Sequence, residues 1–274
     1  MVHSMRAHRA INVLGSSLSR MLGIWQHGFL LESLVLREIR VRYRRSVLGV
    51  VWTLLNPLMM MIIFTVVFST LFAGSLQHFP VYFLTAFLSW QFFARATSEA
   101  MTALVRSAAL FKRIAVPKYI FIVAVVCTDL INFLLALIPL AGLIILIGQP
   151  IRPTVLFLPI SIVVLTAFTI GVSFFIATIT VFFDDMTQFY AVVLQAGMYI
   201  SAIFYPIDIV PQKFRILIAL NPMYYCIQMV RLPIYNGQIP DALTLIAAVL
   251  SAVVALAVGG YVFARYSDRF IYYV

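Results

Sequence analysis

The sequence predicts an all-α membrane protein, and three observations predict it. Of 274 residues, 64% are hydrophobic and only 10% are charged, where a soluble domain keeps about a quarter charged. Charge-poor runs recur near 52–72, 79–94, 119–147, 155–182, 187–205 and 242–264, several of them long enough to cross a bilayer as helices. Five arginines (Arg37, Arg40, Arg42, Arg44 and Arg45) abut the first of these runs. The expected architecture is a cytoplasmic N-terminal segment, 1–46, followed by a six-span transmembrane domain, 47–274.

Charge sets the orientation. With six spans both termini lie on one side, and a cytoplasmic N-terminus places fifteen of the nineteen Lys and Arg inside. Only Arg152, Lys213, Arg215 and Arg231 then lie outside, as the positive-inside rule requires. The net charge of +10 is therefore read as topology, and no nucleic-acid partner is expected. The first 25 residues show no compact apolar core of a cleavable signal.

From about residue 26 to 45 a helix is expected, with Leu30, Leu34 and Val41 on an apolar side. Arg37, Arg40 and Arg44 recur at spacings of three and four, and Glu38 and Arg42 form an i,i+4 pair. Such a helix lies in the interface plane, its arginines reaching toward phosphates. It either only anchors the topology or uses those arginines.

The first span carries Asn56-Pro57 near its cytoplasmic end, where proline removes a backbone donor. Phe64, Phe68 and Phe72 follow at spacing four as one stripe, facing lipid, core or a functional surface. The second, shorter span ends in Trp90, Phe92 and Phe93. A cytoplasmic segment then runs from 95 to 118 with Glu99, Arg106, Lys112 and Arg113, helical over 98–111. It is either a handle for a soluble partner or a basic solvated loop.

The third span holds Asp129 and Asn132 on one face. A carboxylate in a span costs roughly 2.5–3.5 kcal/mol on insertion scales and marks function by default. Standing alone, Asp129 is expected to cap or hydrogen-bond a neighbouring helix. In the fourth span Thr166, Thr169, Ser173 and Thr180 with Gly171 predict close helix packing. The fifth span aligns Gln188, Gln195 and Tyr199, a stripe that must face a partner helix or a wet cavity.

Between 205 and 241, five prolines punctuate two apolar pieces, 212–220 and 223–235. Each is too short to span. They are expected as a helical hairpin at the outer surface, dipping back toward the membrane, with Asn221-Pro222 at its tip. The last span ends at Arg265 and Arg269.

Several chemistries are missing. No phosphate-binding loop is present, the four histidines are scattered, and neither cysteine has metal-ligand company. No catalytic arrangement stands out, so the chain is expected not to be an enzyme and to bind no metal. Six spans, a cytoplasmic handle and no engine point to a channel subunit driven by a separate ATPase.

The stretch LVLREIRVRYRRSVLGVVWTLLNPLMMMIIFTVVFSTLF resembles the N-terminal signature of type-2 ABC exporter permeases. Within them it is similar to the branch exporting O-antigen, capsular polysaccharide and teichoic acid. FKRIAVPKYI before the third span and FYPIDIVP…ALNPMYYCIQMVR after the fifth extend the resemblance from about residue 25 to 265.

The resemblance implies a homodimer in the cytoplasmic (inner) membrane, with both termini inside, paired with two ATP-binding subunits. These partners would bind ATP and magnesium, leaving this chain without a cofactor. It also implies an interface helix over 26–45 and a coupling helix over 98–111 bearing Glu99, Arg106, Lys112 and Arg113. Outer gate helices would include Pro206, Asn221, Pro222 and Tyr224. Trp52, Phe64, Phe68, Phe72, Gln195 and Tyr199 would line the conduit.

The implied substrate is a lipid-linked polysaccharide, O-antigen first among the possibilities, carried on an undecaprenyl-type pyrophosphate. Guanidinium forks suit that pyrophosphate, which nominates Arg42, Arg44 and Arg45. A drug or lipid exporter of the same type, and a membrane scaffold without transport, are the alternatives.

Overall fold

The computed structural model describes residues 28–43, 51–71, 78–108 and 116–273. Among them the regular structure is helical throughout, as expected. The α-helices are α1 (Gly28–Tyr43), α2 (Val51–Leu71), α3 (Phe79–Arg106), α4 (Tyr119–Ile147), α5 (Leu158–Phe182), α6 (Met186–Ile200), α7 (Gln212–Ala219), α8 (Pro222–Arg231) and α9 (Ala242–Tyr266). Among the described residues, three helical stretches are long and apolar enough to cross a membrane: Tyr119–Ile147, Pro153–Phe182 and Ala242–Tyr272. They coincide with the expected third, fourth and sixth spans.

The helix at the centre is none of these three. α3 packs against α2, α4, α5, α6 and α8, and its Val81, Phe83, Leu84, Ala86, Ala96, Ala100 and Leu104 are all buried. A helix enclosed by protein has no lipid to satisfy, so it tolerates Ser89, Gln91 and Thr97 where a lipid-facing helix would not. The hydroxyls of Thr85, Ser89 and Thr97 donate to backbone carbonyls one turn back.

α3 differs from the expectation at its C-terminal end. The second span was expected to stop near 94, with a separate helix over 98–111. The helix instead runs unbroken through 28 residues to Arg106, rising about 42 Å at 1.5 Å per residue. No Gly or Pro interrupts 94–106, and Ala, Glu, Met, Leu and Arg favour continuation. Residues 109–115, with Lys112 and Arg113, lie outside the described residues.

α5 and α9 share the most extensive helix contact, and glycine permits it. A Cβ on Gly259 would sit 2.0 Å from the Gly171 carbonyl oxygen, and one on Gly171 would sit 2.3 Å from the Ala255 carbonyl carbon. Backbone therefore lies on backbone. The hydroxyls of Thr169 and Thr180 bond within their own helix, so the small-residue stripe read from the fourth span serves packing.

The two short helices expected after residue 205 form as α7 and α8, and they differ. α7 buries only Ile218, whereas α8 buries Met223, Cys226, Ile227, Met229, Val230 and Arg231 against α3, α5 and α9. Asn221 caps α8 by accepting from the Met223 amide at 3.0 Å, and Pro222 takes the first helical position, where no donor is missed. Pro233 cannot donate to the Met229 carbonyl. The Ser161 hydroxyl donates there instead, at 2.6 Å.

The fifth expected span, 187–205, is helical only to Ile200. Fifteen residues rise about 22 Å, short of a hydrocarbon core of about 30 Å. The chain then turns through Ala202, whose φ of 50° is left-handed, and stays buried through Phe204. This turn frees carbonyls that need donors, and they find one on α8.

α1 docks on the start of α4. Leu34 and Val35 pack with Ile120, Phe121 and Ala124, with Leu30, Leu31 and Ile39 at the margin. Val41, expected on the apolar side, is exposed: Leu34 and Val35 fill the contact with α4, and Val41 lies about two turns beyond them.

Candidate functional site

Arg42 stands near the C-terminus of α1, and the docking of α1 on α4 turns it inward, while Arg37 and Arg40 stay exposed. Its guanidinium, 18% exposed, bridges two helices. Nη1 donates to Asp129 Oδ1 of α4 at 2.7 Å, and Nη2 pairs with Glu99 Oε2 of α3. Arg95 approaches from one turn before Glu99, its Nε 3.9 Å from the same Asp129 oxygen. Asn132 Nδ2 lies 3.4 Å from it.

Asp129 is 2% exposed, and its Oδ2 is buried with no hydrogen-bond partner among the described residues. It borders a cavity of ≈ 40 Å³ shared by Asn56 of α2, Gln91 and Arg95 of α3, and Asn132 of α4. That is room for about one water among polar partners. The expectation that Asp129 bonds a neighbouring helix holds, and its neighbour is the N-terminal basic helix.

This cluster joins two groups of residues nominated for different roles. Arg42 belongs to the arginines nominated for pyrophosphate, and Glu99 to those nominated for coupling. Arg106 contributes by donating to the Glu99 backbone carbonyl at 3.4 Å. Arg44 and Arg45 lie outside the described residues.

A second feature is a chain of rings. Phe64 of α2 lies 5.0 Å from Phe83 and 4.9 Å from Phe204, centroid to centroid. Phe83 stacks on Phe87 at 4.9 Å, and Tyr199 meets Phe204 at 5.6 Å. Phe64 and Tyr199, both nominated for the conduit wall, are thus joined through Phe204. Tyr199 is 54% exposed, and Trp52, Gln188 and Gln195 are exposed as well. The Phe68 side chain and Phe72 lie outside the described residues. Phe83 and Phe204 were not singled out in the sequence, because their role depends on the turn after α6.

The third feature is Arg231, which is 2% exposed. Its guanidinium lies 3.9 Å over the Tyr82 ring, donates to the Tyr82 hydroxyl at 2.9 Å, and reaches the Ala202 and Ile203 carbonyls at 3.1 and 3.3 Å. Tyr82 in turn donates to the Tyr205 carbonyl at 2.9 Å. Of the nominated gate residues, Asn221 ties this region together by donating to Ser201 Oγ at 2.8 Å. Pro206 leads into the turn Ile207–Ile209, and Tyr224 meets Tyr225 edge-on at 5.3 Å. Among the described residues no cluster of three or more His, Cys, Asp or Glu could hold a metal.

A bundle with three helices long and apolar enough to cross a membrane, a basic N-terminal helix clamped to it and a proline-punctuated hairpin describes a helical membrane protein. The chain matches the family model described as ABC-2 type transporter over residues 30–235, and it belongs to that family. It is 28% identical over 250 residues to the O-antigen export system permease protein RfbA of Myxococcus xanthus, covering 90% of this chain and 96% of that one. It is 26% identical over 216 residues to an RfbA of the same description from Klebsiella pneumoniae, at 77% and 83% coverage. It is 23% identical over 233 residues to the polysialic acid transport protein KpsM of Escherichia coli, at 83% and 90% coverage. The resemblance to the polysaccharide-exporting permeases is borne out.

Proposed function

We propose that this chain is the permease subunit that moves an undecaprenyl-pyrophosphate-linked polysaccharide, O-antigen in the first place, across the cytoplasmic membrane. It works as a homodimer of six-span chains with both termini cytoplasmic. Two separate ATPase subunits bind ATP and magnesium and drive it. The observation that carries this reading is the near end-to-end similarity to an O-antigen export permease, together with a basic helix held through Arg42 to Glu99 of α3 and Asp129 of α4.

The residues divide the work by depth. Arg42, Arg44 and Arg45 receive the pyrophosphate, because planar guanidinium forks match its oxygens. Trp52, Phe64, Phe68, Phe72, Gln195 and Tyr199 border the sugar path, where rings stack on the apolar faces of sugars without demanding one hydroxyl pattern. Glu99 and Arg106 in the last turns of α3, with Lys112 and Arg113 following them in sequence, take the ATPase stroke. The hairpin around Pro206, Asn221, Pro222 and Tyr224 is the outer gate. Exposure of Gln188, Gln195 and Tyr199 on α6 supports a second chain or a wet conduit against that face, since lipid does not satisfy amides.

A clean deletion tests the reading. Lipid-linked glycan should accumulate on the inner leaflet and surface glycan should disappear. Normal surface glycan overturns it, and lost drug resistance with intact glycan export reassigns the chain to a drug exporter.

A further inference from the structure

Arg42 already has an anion. Glu99 from α3 and Asp129 from α4 each place an oxygen on one of its terminal nitrogens, much as two oxygens of a phosphate would. The charges of Arg42, Arg95, Glu99 and Asp129 balance, so a phosphate arriving at Arg42 leaves an excess of negative charge unless a carboxylate gives way. The two carboxylates are placed unequally for that. Glu99 has a side chain 28% exposed and can turn toward water. Asp129 cannot, and an unpaired carboxylate at its depth is costly. Arg95 stands ready beside it, 3.9 Å from the same oxygen and 40% exposed along its side chain.

We propose that Glu99 and Asp129 are a resident counter-anion for Arg42, displaced when a phosphate-bearing headgroup arrives, with Arg95 taking over Asp129. This rests on the reading of Arg42 as a receiver of the headgroup. Binding of the headgroup and release of the Arg42 end of α1 from α3 and α4 are then one event. The carboxylates compete with the ligand, so its apparent affinity is reduced by the fraction of time that Arg42 spends released. An empty permease keeps its own arginine occupied and does not hold bulk phospholipid phosphates tightly.

The test titrates farnesyl pyrophosphate, and inorganic pyrophosphate in parallel, against the full-length permease in nanodiscs. Glu99→Gln should tighten binding roughly three- to tenfold, because it removes one competitor. Arg42→Gln should weaken binding by about tenfold or more through loss of a charge-assisted contact. Glu32→Gln removes the same charge from an exposed position at the far end of α1 and should change nothing.

Wild-type binding in Arg42→Gln overturns the headgroup reading itself. Weakened binding in Arg42→Gln with no gain in Glu99→Gln overturns the counter-anion alone. An equal gain in Glu32→Gln also overturns it, because the effect is then general charge. A gain seen only with farnesyl pyrophosphate assigns the ligand to an isoprenoid-linked source; the same gain with inorganic pyrophosphate supports exchange at the phosphate whatever carries it. Hydrogen exchange over residues 28–43 supplies a second readout. It should rise when farnesyl pyrophosphate saturates the wild type and be high in Glu99→Gln without ligand, and no change on saturation overturns the coupled release.

Discussion

Arg231 shows how one side chain repairs a backbone. The left-handed turn at Ala202 strips the Ala202 and Ile203 carbonyls from any helix, and buried carbonyls without donors cost about 1–3 kcal/mol each. Arg231 supplies those donors from α8. Replacing Arg231 with Ala should therefore lower the stability of the purified permease by several kcal/mol in all, read as an earlier thermal melt in detergent. Retention of the wild-type melt would refute this account of the turn. In the sequence Arg231 is legible only as one of four outer cations. Its burial depends on meeting Tyr82, 149 positions away, and no local pattern encodes that encounter. Asp129 was more legible, because a carboxylate inside an apolar run demands a partner. Which partner it takes follows from α1 docking, which spacing within α4 does not contain.

Among elements, the α5–α9 pair rests on glycine. Gly259→Ala puts a methyl group 2.0 Å from a carbonyl oxygen of the facing helix, so the helices must separate. Overpacking of this kind costs about 1–3 kcal/mol, and the melt of the purified protein should fall accordingly. Gly142→Ala on α4 is the matched control, since nothing lies within 4 Å of its added methyl. It should leave the melt unchanged or raise it, as a helical Gly→Ala change without a clash does. An equal loss from both variants would overturn the close approach as the cause, because helix propensity alone predicts a gain in each. The small-residue stripe behind this contact could be read directly from Gly171 and its hydroxylated neighbours. The unbroken run of α3 could not. Arg95 and Glu99 look like surface residues in one dimension, and in three they are neutralised from α1 and α4.

For the whole molecule, the exposed faces of α2 and α6 define what a single chain leaves unfinished. Trp52, Met59, Ile62, Ile63 and Val66 on α2 are exposed, and so is the polar stripe of α6. Apolar residues rest comfortably in lipid, and amides do not. In the proposed homodimer, a cysteine at Gln195 should cross-link to its counterpart, or be protected by a bound glycan, in native membranes. A Gln195→Cys protein that reacts only with lipid-soluble reagents, with no cross-link, would place α6 against lipid. The composition and arginine asymmetry made the membrane class legible. The division between enclosed and lipid-facing helices was not, because the most enclosed helix, α3, is less apolar than α4, α5 and α9.

Continuity in α3 has a mechanical meaning. Toward its C-terminus Glu99 grips the basic helix, and near its N-terminus Tyr82 grips the hairpin through Arg231. The stretch between them contains no glycine or proline to act as a joint. A rod about 42 Å long without a joint cannot delay one end relative to the other. Any axial stroke on its C-terminal tip reaches both grips in phase, so events at the basic helix and at the hairpin share a single clock.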